Sequence, residues 1–159
     1  MEWKTHFLTG AIVGAAYTND WKGALICGSL ALVSDLDEPN SKLGRILFPI
    51  SMFISTIFPH RTFTHSIPFV ILSGLVAYIL TFDFTISNLV MLGIVSHIVG
   101  DILTGRVQLF YPFKVWVGFR IPPFTYILID RIARYSLVAV IIFYTYQYAR
   151  ENLGLLNIL

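Results

Sequence analysis

The sequence predicts an all-α fold, a polytopic membrane helical bundle, and three observations support this prediction. Hydrophobic residues make up 56% of the 159 residues and charged residues only 13%, whereas a soluble domain carries about 25% charged residues. The mean hydropathy is +0.74. The apolar residues also form long runs separated by short polar breaks. We therefore expect a single integral-membrane domain over residues 1–159, in which about five helices span the bilayer.

Six apolar segments follow one another along the chain. They cover residues 7–18, 21–34, 43–58, 67–82, 86–103 and 126–148. The first two are short but rich in glycine, alanine and serine, a composition that suits close helix packing and predicts a helical hairpin. The third is interrupted by Pro49, which removes a backbone donor and breaks a helix. Between the fifth and sixth segments, the aromatic and basic stretch 105–124 is typical of a membrane–water interface.

Ionisable side chains are costly in a membrane helix, so their default interpretation is functional. Most of those in this chain cluster at the ends of the apolar segments. The candidate metal ligands are His6, Asp35, Asp37, His60, His65, His97 and Asp101. His97 and Asp101 are four residues apart, so they share one helix face and could hold a metal ion together. The alternative is a simple helix-stabilising hydrogen bond between them.

The other candidates are weaker when each is taken alone. Asp35 and Asp37 lie where the second segment ends, and carboxylates at a helix C-terminus oppose the helix dipole. A solvated turn is the ordinary explanation, but a metal ion or Arg61 would compensate their charge. Residues 60–66 contain two histidines, one arginine and three hydroxyl residues, and Ser66 is expected to cap the next helix. His6 is a candidate only because the other candidate ligands are present in the same chain.

These candidates can meet at one membrane surface only if one segment does not cross. If segments one and two both span, the start of the first and the end of the second lie on the same side of the membrane. If segments four and five both span, the start of the fourth and the end of the fifth also share one side. Residues 43–58 must then be re-entrant or interfacial. Nine of the 11 Lys and Arg residues lie on the site's side, so this side is expected to be cytoplasmic, at the inner or plasma membrane.

Imidazole and carboxylate ligands together suit Zn²⁺ best, with Mn, Fe or Mg as alternatives. A bound ion of this kind activates water and stabilises the charge of a phosphoryl group during displacement. Arg61, Asp37 and Thr64 are the candidate catalytic residues. Substrate phosphate would be neutralised by the candidate substrate-binding residues Arg106, Lys114 and Arg120.

Four motifs carry a family resemblance. They are His6 with Thr9-Gly10, Ser34-Asp35-Leu36-Asp37, His60-Arg61-x-x-Thr64-His65-Ser66 and His97-x-x-x-Asp101-x-x-Thr104. In this order they resemble the family of membrane-bound metal-dependent hydrolases, whose bacterial members include LexA-regulated inner-membrane proteins. Over residues 1–113 the resemblance implies a metal-dependent hydrolase. A more distant similarity to zinc-dependent phospholipase C implies a phosphodiester site, here mono- or dinuclear because several ligands of that enzyme have no counterpart.

The expected function is hydrolysis of a phosphoester of a lipid, a lipid-linked molecule or a small molecule at the cytoplasmic face. The expected partner is membrane lipid, and the net charge of +2 gives no reason to expect nucleic acid. One alternative is proton or metal-ion transport through the same His/Asp cluster, which requires polar residues across the bilayer depth. Another is a non-catalytic scaffold with a structural metal, which requires a closed ligand shell.

Overall fold

A computed structural model describes residues 1–152, with the side chains of residues 1–150. Within that range the chain forms seven α-helices: α1 (Trp3–Thr18), α2 (Trp21–Leu30), α3 (Lys42–Ile46), α4 (Phe48–Ile57), α5 (Ile67–Thr81), α6 (Phe84–Thr104) and α7 (Pro123–Asn152). Two 3₁₀ turns cover Val33–Asp37 and Phe63–His65. The all-α prediction is confirmed, apart from a short antiparallel pair, β1 (Arg106–Val107) and β2 (Val117–Gly118), within the stretch predicted to be interfacial.

The first two helices form the hairpin that their small residues predict. A Cβ atom added to Gly14 would overlap the carbonyl oxygen of Gly23 and lie 2.5 Å from the Cβ of Cys27, so the two backbones approach as closely as glycine allows. Asn19 closes α1 in the left-handed conformation, with φ of 52°. The Asp20 side chain caps α2 by accepting a hydrogen bond from the amide of Lys22 in the first turn of that helix. The hairpin's open end therefore carries the start of α1 and the residues after α2.

Helices α5 and α6 form a second hairpin. The Ser66 hydroxyl caps α5 by accepting the amide of Phe69 at 3.4 Å, as the sequence predicted. At the opposite end, Asp83 caps α6 by accepting the amide of Thr85 at 2.6 Å. Because α5 begins and α6 ends at the same end of the pair, the sequence motifs around residue 65 and residue 101 come together there.

The third apolar segment is broken into two helices. The break falls at Leu47, and Pro49 lies in the first turn of α4, where the missing amide costs nothing. The ten residues of α4 rise about 15 Å, half of a bilayer core of about 30 Å. Asp37 precedes the segment and His60 follows it, yet their side chains are 2.7 Å apart. The segment therefore begins and ends at the same end of the molecule.

The expected number of spanning helices is corrected by the helix lengths. Among residues 1–152, α6 alone is long and apolar enough to cross a membrane, not about five helices. The 16 residues of α1 and 15 of α5 rise only about 24 and 22 Å. Helix α7 has 30 residues, but charged residues interrupt its first half.

The distribution of polarity is inverted relative to a soluble protein. Large apolar side chains are exposed along the outside of α5, where Ile71 is 59%, Leu75 53% and Ile79 56% accessible. Buried positions instead hold histidines, aspartates, serines and threonines. An apolar exterior around a polar interior is expected of a protein that lies in lipid.

Candidate metal centre

Five ionisable side chains are buried together where the open ends of the two hairpins meet. His6, Asp37, His65, His97 and Asp101 are each no more than 1% accessible. The first comes from α1, the next two from the two 3₁₀ turns and the last two from α6. Burying so many ionisable groups is unfavourable unless they pair with one another or bind an ion. The fold therefore brings together residues that were separate candidates in the sequence.

The centre of the cluster is a triangle of ligand atoms. The Nε2 atoms of His65 and His97 lie 3.2 Å apart. Oδ2 of Asp101 lies 3.3 Å from the first of these nitrogens and 3.8 Å from the second. Ligands bound to a tetrahedral zinc ion at about 2.0–2.1 Å are about 3.3 Å from each other. The spacing of these three atoms therefore fits a divalent ion.

Two further side chains extend the donor set. Oδ1 of Asp35 lies 3.5 Å from Nε2 of His97. Nε2 of His6 lies 3.3 Å from Oδ1 of Asp101, and the His6 ring stacks on His97 with centroids 3.7 Å apart. Two overlapping groups, His6–His97–Asp101 and Asp35–His65–His97, each bring their ligand atoms within 4.8 Å of one another. One or two ions can be accommodated.

Two buried ring nitrogens at the centre are left without a hydrogen bond. Among the described residues, the buried Nδ1 atoms of His6 and His97 have no hydrogen-bond partner. A buried polar atom without a partner is uncommon and requires an explanation. In both rings the Nε2 atom, and not Nδ1, faces the converging atoms, so the fit to a metal ion is carried by the Nε2 and carboxylate atoms.

Asp37 lies behind His65 rather than among the converging atoms. Nδ1 of His65 is 2.9 Å from the Thr64 hydroxyl and 3.4 Å from Oδ2 of Asp37, while Thr64 donates to that oxygen at 2.5 Å. The other oxygen of Asp37 contacts Nδ1 of His60 at 2.7 Å. A carboxylate on the far nitrogen of a metal-binding histidine fixes the ring orientation. This is the position that Asp37 occupies.

The titration of these groups reflects their pairing. Burial alone would lower the pKa of His65, but hydrogen bonds to Asp101 and Asp37 outweigh it and raise the pKa to about 9. Burial would raise the pKa of Asp37, but hydrogen bonds from His60 and His65 hold it below its usual range. Burial raises the pKa of Asp35. Without a metal, His65 therefore keeps a proton at neutral pH, which a divalent ion at Nε2 would replace.

Arg61 connects the two key carboxylates from a strained backbone. Its φ is 65°, a left-handed conformation that is unfavourable for residues with a side chain and often occurs at functional sites. Its amide donates to Oδ2 of Asp37 at 3.0 Å, and its Nε lies 3.0 Å from Oδ2 of Asp101. A Cβ atom at Gly105 would overlap the guanidinium of Arg61. Glycine at that position leaves room for the arginine.

A cavity of about 280 Å³ opens beside the centre. Its lining includes Asp35, Lys42, His60, Arg61, Asp101 and Tyr126. Because the two aspartates belong to both the donor set and the lining, the centre can be reached from the cavity. The three expected substrate-binding residues do not line this cavity. They are Arg106, Lys114 and Arg120, and all three are exposed. Lys42 was not anticipated, since nothing in its local sequence distinguishes it from any other surface lysine.

The sequence interpretation also missed Asp130 on α7. It is 1% accessible, accepts the amide of Glu2 at 2.8 Å and pairs with Arg134. Arg134 also contacts the Glu2 carboxylate at 2.9 Å. These contacts fasten α7 to the start of α1, one turn from His6. An aspartate and an arginine four residues apart in an apolar segment were the signal that could have revealed the pair.

Comparisons with known proteins agree with a membrane protein family. The model of a family described as "YdjM inner membrane protein" matches residues 1–156. The chain is also 32% identical over 123 residues to the uncharacterized protein YvsG of Bacillus subtilis (strain 168), with 74% of this chain and 77% of that protein covered. No solved structure matches. The predicted resemblance is confirmed at the level of an inner-membrane family, and neither description mentions hydrolase or phospholipase activity.

Proposed function

The chain belongs to the YdjM inner membrane protein family, and we propose that its buried histidine–aspartate cluster is the divalent-metal site of a membrane-bound hydrolase. The substrate is a phosphoester of a lipid or of a lipid-linked molecule. Zinc is the proposed ion because imidazole and carboxylate ligands suit it, with manganese, iron or magnesium as alternatives. The cavity faces the cytoplasm in this proposal, since nine of the 11 Lys and Arg residues are assigned to that side.

One observation carries the proposal: the atoms that converge on an ion also border an open cavity. Asp35 and Asp101 supply donor oxygens, and the same two residues line the cavity of about 280 Å³. A purely structural zinc site is closed by four protein ligands, whereas a catalytic site keeps a position open to water or substrate. The arrangement supports a catalytic site.

The chain's own residues have distinct tasks in this proposal. A divalent ion bound at the centre supplies the Lewis acidity that phosphoester hydrolysis requires. Arg61 and Lys42, both on the cavity wall, neutralise the phosphate oxygens. Asp37 and Thr64 orient His65. His60 has a side chain 36% accessible and holds the Asp37 carboxylate from the cavity wall.

The transport alternative finds less support in the distribution of charge. A relay needs ionisable groups through the depth of the bilayer. Within residues 1–150, the buried ionisable side chains are His6, Asp37, His65, His97, Asp101 and Asp130. The first five lie at the centre, and the sixth contacts the start of α1. This concentration at one end favours chemistry at a surface site.

Hydrolysis of bis(p-nitrophenyl) phosphate by the purified protein tests the proposal. The metal-stripped protein should be inactive and regain activity when zinc or manganese is restored. Asp101→Asn should lower the rate by about 100-fold or more, because it removes a charged oxygen from the ion. Asp83→Asn is the matched control, since it makes the same change at the far end of α6, where asparagine also caps a helix. Equal rates for Asp101→Asn and Asp83→Asn would reject the proposal.

A further inference from the structure

A second cavity, also about 280 Å³, shares Met1 with the cavity beside the metal centre. It is a groove between α1, α6 and α7, and its accessible wall is apolar. Val99 and Leu103 line it from α6, and Ala133 and Leu137 line it from α7. Each pair is four residues apart, so each helix presents one continuous apolar face to the groove. Nothing in the proposed hydrolysis uses this space.

The groove reaches the metal centre at its inner end. Gly100 is part of its wall and immediately precedes Asp101. A Cβ atom at Gly100 would lie 2.7 Å from Sδ of Met1 and 3.2 Å from Cε1 of His6, so the glycine makes room for the Met1 side chain and the His6 ring. Met1 lines both the groove and the polar cavity. The apolar groove and the polar cavity therefore adjoin at Met1, whose amino group lies 2.6 Å from Oδ1 of Asp101.

The size of the groove suits one hydrocarbon chain. Small-molecule sites usually measure about 300–1,000 Å³, and 280 Å³ is just below that range. From Ala133 to Val140, the α7 wall rises about 10 Å. Val99 and Leu103 are 50% and 48% accessible, so the groove is open along its side and a chain can enter from lipid.

We propose that this groove, the chain groove, binds the single alkyl chain of an amphiphilic phosphoester whose phosphate lies in the metal cavity. The inference rests on the proposed function and specifies its substrate class. A chain in the groove and a phosphate near Arg61 and Lys42 would place the ester beside Met1, because the two cavities share that residue. An amphiphile is selected over a soluble phosphoester by the burial of its methylene groups.

Binding of decyl phosphate and butyl phosphate, measured by calorimetry on the metal-loaded protein, tests the chain groove separately from catalysis. Both ligands carry the same phosphate, so a difference in affinity reports the chain. Decyl phosphate should bind about 100-fold more tightly or better, since its extra methylene groups are buried. Ala133→Phe fills the groove and should reduce this preference to about threefold or less, with butyl phosphate binding unchanged.

Ala139→Phe is the matched control, because Ala139 is an exposed residue of the same helix outside the groove lining. It should keep the full chain preference. Ser136→Phe fills the groove from another lining residue. It is the variant to measure if Ala133→Phe no longer binds metal. A preference retained by all three variants would reflect general contact with detergent or lipid and would overturn the inference, as would no preference in the unmodified protein. Selective chain binding without hydrolysis would support the groove and reject the hydrolase.

Discussion

Asp101 is the residue on which the centre depends. One of its oxygens faces His6, and the other faces both His65 and Arg61. A buried carboxylate is tolerated only where positive charge or hydrogen bonds compensate it. Three basic side chains around one carboxylate, with His97 a helical turn away and the Met1 amino group 2.6 Å from Oδ1, provide that compensation.

Asp37→Asn tests whether Asp37 orients His65 or binds the ion itself. The structure places its carboxylate on the Nδ1 side of His65, so the variant should bind zinc about 10–100-fold more weakly without losing it. Competition with a chromophoric zinc chelator measures the affinity. Asp83→Asn should leave the affinity unchanged. Complete loss of zinc would instead make Asp37 a ligand, as the sequence alone suggested, and an unchanged affinity would exclude an orienting role.

Gly105→Ala tests the position of Arg61. The new methyl group would occupy the space of the Arg61 guanidinium, so the arginine must leave Asp101 while the metal ligands stay in place. Metal content should be retained, and the rate of phosphodiester hydrolysis should fall about tenfold, as expected when one charge-assisted contact to the phosphate is lost. Elemental analysis and initial rates on the same preparation separate the two effects. An unchanged rate would remove Arg61 from substrate binding.

At the level of helices, the close approach of α1 and α2 determines where His6 lies. The pair is in contact through Gly14 and Gly23, and this contact fixes the depth and rotation of α1. The opposite ends of both hairpins are closed by short capped turns at Asn19 and Phe82, each with a positive φ. The metal centre is therefore built by pairing helices whose free ends all point the same way.

Gly14→Leu should destabilise the protein because a large side chain cannot fit against Gly23 and Cys27. Overpacking of this kind costs about 1–3 kcal/mol, and displacement of α1 should also weaken zinc binding through His6. Thermal unfolding in detergent, followed by circular dichroism, measures the first effect. Ala16→Leu adds a similar volume at an exposed position of α1 and should unfold like the unmodified protein. Identical unfolding temperatures for both variants would contradict the packing described.

Some helices could be predicted and others could not, for physical reasons. Small residues predicted the α1–α2 hairpin, and Pro49 predicted the break in residues 43–58. The break falls at Leu47 instead, since proline is tolerated in the first turn of a helix. Helix α2 ends at Leu30, before its apolar run does, because the chain turns through a 3₁₀ helix that carries Asp35 to the centre. Two-residue strands have no periodicity that a sequence could reveal.

At the level of the whole molecule, histidines and aspartates are buried together at one end, while many large apolar side chains are exposed. The sequence motifs named residues that the fold brings to one end of the molecule, because the order of hairpins brings alternate segment ends to one side; their role as metal ligands stays a prediction. Lys42 and Asp130 were missed. The position of Lys42 depends on the packing of α3 beside the cavity, and that of Asp130 depends on the packing of α7 against the start of α1. Pairwise packing between distant segments cannot be read from local spacing.

Labelling with a membrane-impermeant maleimide tests the proposed orientation. In a Cys27→Ser background, Lys42→Cys should react only in inside-out vesicles and Asp83→Cys only in intact cells. The reason is that Lys42 borders the metal cavity, whereas Asp83 caps α6 at its other end; both positions are exposed. Labelling of both from the same side would contradict a molecule that crosses the membrane between them, and the reversed pattern would place the centre outside the cytoplasm.

The number of zinc ions retained per chain is the most direct test of a metal centre at His65, His97 and Asp101. Zinc-loaded protein would be dialysed and analysed by plasma mass spectrometry, together with His97→Ala, Asp101→Asn and the control Asp83→Asn. The close convergence of Nε2 and Oδ2 atoms predicts one or two ions in the unmodified protein and in Asp83→Asn, and essentially none in the other two. Equal zinc in all four proteins, or zinc in none, would contradict a metal centre at this position.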